Sequence, residues 1–265
     1  MRHQVKKRFG QHFLVDQGVI TQIVNSIACQ NSDHVIEIGP GMGAMTQLLL
    51  ERLDHLSIVE IDRDLINYWE KQALSKLTIY GRDVLKFDFS EWFTTTAGPG
   101  QHFIVGNLPY NISSPILFHL VQYANQVTGQ IFMLQKEVID RMLSQAGDSE
   151  FGRLSVMLQA RYDMSLVLDV PPECFDPPPK VDSAVVRMVP KKDFSLSSEE
   201  YLALEKIVTQ AFSQRRKVLR NNLSSFKDLL GMTEQELGQR AQEITVERYI
   251  EWAKAWAISH KNADQ

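Results

Sequence analysis

Asn107-Leu108-Pro109-Tyr110 directly follows the apolar run Phe103-Ile104-Val105. A buried strand that stops at such a Gly-Asn-x-Pro break presents an amide, a ring and two carbonyls at its carboxyl end. In open α/β sheets that edge is where ligands bind. An amide oxygen at Asn107 and a backbone carbonyl at Leu108 can together accept both hydrogens of an exocyclic amine. Pro109 stiffens the turn, and the Tyr110 ring can stack on the planar group carrying the amine. Adenine suits such a site. Taken alone, the same residues also fit a plain strand-to-loop turn with Tyr110 as core filler.

A second constellation is Glu37-Ile38-Gly39-Pro40-Gly41-Met42-Gly43, a glycine-rich turn between a strand and a helix. Gly39 and Gly41 let a ligand approach the backbone closely, and the helix start offers free N–H donors. Glu60 ends the next strand, where an acid accepts hydrogen bonds from ribose hydroxyls. Gly39-x-Gly41-x-x-Ala44 also satisfies the nicotinamide fingerprint, so the turn itself says only that a nucleoside binds. Asp83, at the end of a third strand, can accept from an adenine amino group. A hydride enzyme needs neither the Asn107–Tyr110 turn nor a rigid aromatic loop above it, whereas a methyl donor carrying ribose and adenine, set beside an amine-recognition turn, needs both.

The elements that position these residues alternate. Asp16 caps a predicted helix bearing Val19, Ile20, Ile23, Val24 and Ile27 on one face. Strands are expected at 34–38, 56–60, 77–80, 101–105 and 131–134, with helices opening near 44, 62 and 113. This alternation predicts a mostly parallel, doubly wound α/β sheet. Residues 166–168 and 184–188 read as a closing strand pair. Between them, Pro171, Pro172, Pro177, Pro178 and Pro179 stiffen a loop that holds Phe175 in place. From 191 onward every pattern is helical, with capping boxes at Ser197/Glu200 and Thr233/Glu236. The expected division is therefore a catalytic, cofactor-binding domain over 1–190 and a small all-α domain over 191–265.

Composition narrows the partners. Among 265 residues 44% are hydrophobic, and no apolar run approaches the ~18–20 residues that span a bilayer. The basic N-terminus lacks the apolar segment of a secretory signal. Cys29 and Cys174 form no ligand pair, and the seven histidines show no metal-binding spacing. The expectation is a cytoplasmic protein with no membrane partner and no metal. Net charge is −4, yet two stretches are purely basic. One holds Lys6, Lys7 and Arg8; the other holds Arg215, Arg216, Lys217 and Arg220 between Glu205 and Asp228. With no acid among them these islands are either solvated basic faces or binding surfaces for an anionic partner, and by the resemblance drawn below they are the expected RNA-binding surfaces. Arg216 and Arg220 are expected on one helical face at i, i+4.

Taken together, Gln11-His12-Phe13-Leu14, Glu37-Ile38-Gly39-Pro40-Gly41-Met42-Gly43, Glu60-Ile61-Asp62, Asp83, Asn107-Leu108-Pro109-Tyr110 and Phe175-Asp176-Pro177-Pro178-Pro179-Lys180-Val181-Asp182-Ser183 resemble the ribosomal RNA adenine dimethyltransferase family, and within it the bacterial small-subunit enzymes. The likeness resumes at Ala211-Phe212-Ser213-Gln214-Arg215-Arg216-Lys217. The proline loop and the basic stretch favour a small-subunit target over the large-subunit resistance enzymes. A non-catalytic RNA-binding assembly factor is the competing class. The resemblance implies a Rossmann-like class I methyltransferase sheet, S-adenosylmethionine as cofactor, and N6,N6-dimethylation of two adjacent adenosines near the 3′ end of 16S rRNA. It also implies action by a monomer on an immature 30S subunit, late in ribosome biogenesis. By the same resemblance His12, Leu14, Gly39, Glu60, Asp83 and Asn107 line the cofactor, and Asn107 faces the target amine. Tyr110 and Phe175 are expected to stack on the base from its two faces. His12 departs from the family's usual Asn.

Overall fold

The protein is described here by a computed structural model covering residues 12–193 and 196–263. Lys6, Lys7 and Arg8 lie outside the described residues. The chain forms two compact units: one runs up to Ile139 and includes Met164–Pro190, and the other comprises Asp140–Asp163 with Lys191–Gln265.

The first unit is built on a seven-stranded sheet. Its strands are β2 (His34–Ile38), β3 (Leu56–Val59), β4 (Leu77–Tyr80), β5 (His102–Asn107), β6 (Gly129–Gln135), β7 (Tyr162–Val170) and β9 (Ser183–Pro190). They lie in the order β4-β3-β2-β5-β6-β9-β7. The pairs β3–β4, β2–β3, β2–β5 and β5–β6 are parallel, and β9 closes on β6 antiparallel. The chain winds outward from β2 through β3 to β4, then returns to β5 on the other side. The strand order therefore reverses between β2 and β5, and a crevice opens beyond their carboxyl ends. The doubly wound α/β expectation holds: β2 and β4 span the expected residues, β3 is one residue shorter, and β5, β6, β7 and β9 are longer than their apolar runs.

Local chemistry accounts for the helices α1 (Gln17–Ser26), α2 (Thr46–Arg52) and α3 (Arg63–Gln72) around the crevice. Asp16 Oδ1 accepts the Val19 N–H at 2.8 Å and starts α1. Asp62 does the same for Asp64 at 3.0 Å and starts α3. Helix α2 opens at Thr46, later than the position near 44 expected from the sequence, because the chain makes an extra turn in which the Gly43 N–H donates to the Pro40 carbonyl at 3.0 Å. The short strand β1 (Phe13–Leu14) pairs antiparallel with β8 (Phe175–Asp176), Leu14 opposite Phe175. That ribbon was not visible in a two-residue pattern. It ties the aromatic N-terminal segment to the proline loop, where the Asp176–Pro177 peptide is cis.

The second unit is helical. Here the helices Ser198–Ala211 and Val246–Ala263 bury Leu204, Ile207, Val208, Tyr249 and Trp252. Both capping boxes form: Ser197 N–H donates to Glu200 at 2.7 Å, and Thr233 N–H donates to Glu236 at 2.7 Å. Among the described residues no helix is long and apolar enough to cross a membrane.

Candidate functional site

A cavity of about 530 Å³ occupies the crevice at the carboxyl ends of β2, β3 and β5. His12, Leu14, Gly39, Gly41, Glu60, Asp83, Asn107, Leu108, Pro109 and Tyr110 all line it. The loop 39–45 forms one wall. Gly43 has φ +96, and a Cβ there would sit 2.6 Å from the Trp69 ring; a Cβ on Gly41 would meet Phe13 at 3.1 Å. Trp69 also donates from Nε1 to the Gly41 carbonyl at 3.1 Å. The glycine turn is thus gripped between an aromatic from α3 and one from β1, and only glycine leaves room for both.

Three carboxyl groups face this wall. Glu60 Oε1 accepts the N–H groups of Ile61 and Asp62, both at 2.8 Å. Burial nevertheless pushes its carboxyl above the usual range, the Asp62, Ile61 and Gly41 amides offsetting only part of that effect. Glu37, 1% exposed, accepts the Thr46 hydroxyl at 2.7 Å. Its carboxyl is pushed up to about 7, first by burial; the Thr46 bond opposes this and the nearby Glu60 charge adds to it. Asp83 accepts the Leu85 N–H at 3.0 Å through Oδ1, which orients its other oxygen. Arg82 beside it is paired with Glu91 at 2.6 Å.

The turn Asn107–Tyr110 is pinned from several sides. Asn107 Nδ2 donates to the His12 carbonyl at 3.2 Å, which commits the nitrogen end of the amide and leaves Oδ1 as the free acceptor. The Leu108 N–H donates to the Met133 carbonyl at 3.1 Å, and its side chain is 1% exposed. Tyr110 Oη lies 2.6 Å from Ser183 Oγ. Burial raises the Tyr110 phenol, and the Ser183 bond works against that rise. The His12 ring stacks on Tyr110 with centroids 5.8 Å apart and planes 20° apart. His12 Nδ1 donates to the Pro177 carbonyl at 2.8 Å, so Nε2 is the ring nitrogen left for a ligand.

Phe175 does not share this wall. Its ring is 3% exposed and packs in the same apolar cluster as Leu14, Trp69 and Val105. The expectation of a second stacking face at Phe175 is corrected accordingly. The ribbon with β1 turns its side chain into the core, and His12 is the ring that meets Tyr110. Residues that sequence patterns left without a role are Glu37, Trp69 and Ser183. Glu37 stood inside the glycine motif, but nothing local showed its burial. Trp69 and Ser183 come from distant elements.

The basic stretch of the helical unit also differs from expectation. The helix Ser198–Ala211 stops before this stretch, and after Val218 a new helix, Leu219–Leu223, begins. Arg216 and Arg220 therefore do not share a helical face. Arg215 donates to the Ser149 carbonyl and, at 3.4 Å, to that of Phe151. Arg220 and Lys227 both bind Glu234 at 2.6 Å, and these two cations hold its carboxyl down at about 2. Arg216 and Lys217 are exposed. Among the described residues no group of three potential ligands gathers for a metal.

A profile of the ribosomal RNA adenine dimethylase family matches residues 2–256. The chain is 53% identical over 261 residues to ribosomal RNA small subunit methyltransferase A of Ralstonia nicotianae, covering 96% of this chain and 90% of that one. It is 48% identical to the protein of the same name from Burkholderia lata, covering 98% and 96%. Among solved structures it superposes on a dimethyladenosine transferase from Plasmodium falciparum with a TM-score of 0.75 at 24% identity, covering 91% of this chain and 96% of the other. It superposes on the 23S rRNA methyltransferase ErmE with 0.64 at 22% identity, covering 92% and 99%. These two likenesses establish the fold as that of such methyltransferases.

Proposed function

This chain belongs to the ribosomal RNA adenine dimethylase family, and from that premise we propose that it transfers methyl groups from S-adenosylmethionine to N6 of adenosines in ribosomal RNA. The finer reading is two methyl groups on each of two adjacent adenosines near the 3′ end of the small-subunit RNA, within an immature small subunit. The observation that carries the proposal is the convergence of Asn107, Leu108 and Tyr110 with Gly39, Glu60 and Asp83 on one cavity.

The residues present fit the cofactor. Gly39 and Gly41 leave the turn open to close approach, Glu60 and Asp83 offer carboxylate oxygens to ribose hydroxyls and an adenine amine, and Leu14 supplies an apolar wall. When bound, the cofactor supplies an electrophilic methyl on sulfur.

The chain's own part is to make a poor nucleophile competent. The N6 lone pair is delocalised into the purine. Asn107 Oδ1 and the Leu108 carbonyl accept both N6 hydrogens and favour a pyramidal nitrogen with its lone pair localised. Positive charge grows on that nitrogen during attack, and the same two dipoles stabilise it. The His12 carbonyl keeps the Asn107 amide the right way round. Tyr110 supplies the stacking platform, a contact worth ~1–3 kcal/mol. The target base must be unpaired or flipped out to reach it. No side-chain base is required, because the ammonium product is acidic enough to lose its proton to water. Arg216 and Lys217 contribute phosphate contacts from the helical unit.

The test is tritiated-methyl transfer to immature small subunits and, in parallel, to naked large-subunit RNA, with the modified base mapped. Transfer is expected on the small-subunit RNA only. Asn107→Ala is expected to lower kcat by about 10²–10³, the cost of one well-placed dipole in a dry site. Near-normal transfer by that variant would remove the amide from the mechanism.

A further inference from the structure

We propose that Ser183 is a positioning residue for adenine recognition: its hydroxyl fixes the long axis of the Tyr110 ring against which the target base lies. This rests on the reading of Tyr110 as the stacking platform.

Ser183 is the first residue of β9 and is 0% exposed. Its Oγ lies 2.6 Å from Tyr110 Oη, across 73 residues of chain. The backbone beside it is itself anchored, since the Lys136 N–H donates to the Asp182 carbonyl at 2.9 Å. At the other end of the tyrosine, Ser113 donates from Oγ to the Tyr110 carbonyl at 3.3 Å. Ser113 is 2% exposed. The ring is therefore held at both ends of its long axis, main chain and phenol, by two buried serines on different elements.

The physical consequence is orientation. A tyrosine held only through its backbone can swing about χ1 and tilt its plane. Here any swing that breaks the phenol bond leaves a buried Ser183 hydroxyl without this partner, and an unmet buried hydroxyl is costly. The bond thus fixes the direction of the ring's long axis before the base arrives. The His12 ring lies nearly parallel to the Tyr110 ring, centroids 5.8 Å apart, and restrains its rotation about that axis. The tilt of a stacked base sets where its N6 falls relative to Asn107 Oδ1 and the Leu108 carbonyl. Small errors there reduce rate more than affinity, because the near-attack geometry is lost while stacking area remains.

The experiment uses the full-length enzyme and target RNA. Turnover is measured with immature subunits. Fluorescence of 2-aminopurine placed at the target adenosine is followed with S-adenosylhomocysteine bound, and cofactor affinity is measured by calorimetry. Tyr110→Phe and Ser183→Ala are each expected to lower kcat about five- to tenfold, the effect of one lost hydrogen bond. KM for RNA should change less than kcat. The 2-aminopurine signal should broaden in lifetime, and cofactor affinity should stay within about twofold. The double variant is expected to be no worse than either single one, and Ser183→Thr, which keeps the hydroxyl, should recover most of the rate. Independent losses that multiply in the double variant, or an unchanged kcat in Tyr110→Phe, would overturn the role of Ser183. Tyr110→Phe keeps the ring and the Ser183 side chain and removes only the phenol oxygen, so it decides the matter even if Ser183→Ala folds poorly. Tyr110→Ala separates the premise: unchanged turnover and fluorescence there would remove the platform itself.

Discussion

The sheet edge around the cavity and the basic stretch of the helical unit were both conspicuous as linear motifs, yet folding treats them in opposite ways. At the sheet edge, Gly39, Glu60, Asp83 and Asn107 come from four separate places in the chain and line one cavity. In the helical unit, six cations between Glu205 and Asp228 look like one patch in sequence. In space, Arg215 is spent on the backbone carbonyls of Ser149 and Phe151, and Arg220 and Lys227 on Glu234. A strand end has a direction and a partner register, so residues at strand ends converge of necessity. A run of like charge has neither, and a carboxylate from beyond the run can neutralise it.

That contrast can be broken or sharpened by experiment. After the loss expected for Asn107→Ala, the next largest effect belongs to Gly43→Ala. Its positive φ and the overlap with Trp69 are expected to cost about 1–3 kcal/mol. Displacement of the turn should appear as at least tenfold weaker cofactor binding by calorimetry, about 1.4 kcal/mol. Unchanged affinity would mean the grip of Trp69 on this turn is not part of the site.

Glu37 gives a pH signature. Its folded-state pKa, about 7, lies above the unfolded value of 4.5. The folded state therefore binds the extra proton between those values, and the stability Glu37 contributes is present below pH 4.5 and lost as pH rises through 7. The full loss is up to about 3 kcal/mol, from 1.36 kcal/mol per pKa unit. Urea denaturation of wild type and Glu37→Gln from pH 4.5 to 8 should show this fall in the wild type and a flatter profile in the variant. Parallel profiles would place the charge on another group.

The smallest effects test the basic stretch. Arg216→Gln is expected to weaken RNA binding about threefold at low salt and to reduce the log–log salt slope by ~1. Arg220→Gln should do less, since that guanidinium is already engaged. Glu234→Gln should do the reverse and strengthen RNA binding about twofold, by releasing Arg220 and Lys227 from solvent-exposed ion pairs, which hold their partners only weakly. Equal losses at Arg216 and Arg220 would show that the ion pairs give way when RNA arrives.

Much of this protein was determined by sequence alone. The apolar runs ending in Gly39, Glu60, Asp83 and Asn107 dictated strands of one sheet with their polar ends together, because burial and strand periodicity are local properties that propagate into a parallel α/β fold. The capping boxes at Ser197 and Thr233 were legible for the same reason: their partners lie three residues away. Tertiary structure decided whatever depended on a distant partner. Phe175 looked like an aromatic held out by prolines, but the two-residue ribbon with Phe13–Leu14 turned it inward. His12 took the place beside Tyr110, and its carbonyl oriented the Asn107 amide. Trp69 reached under the glycine turn, Ser183 reached the Tyr110 phenol, and Glu234 closed on Arg220 and Lys227. All but the last join segments remote in the chain, and Glu234 meets Lys227 and Arg220, 7 and 14 residues away, only because intervening turns bring them together; each contact is set by the register of packed elements, which no periodicity along the chain encodes.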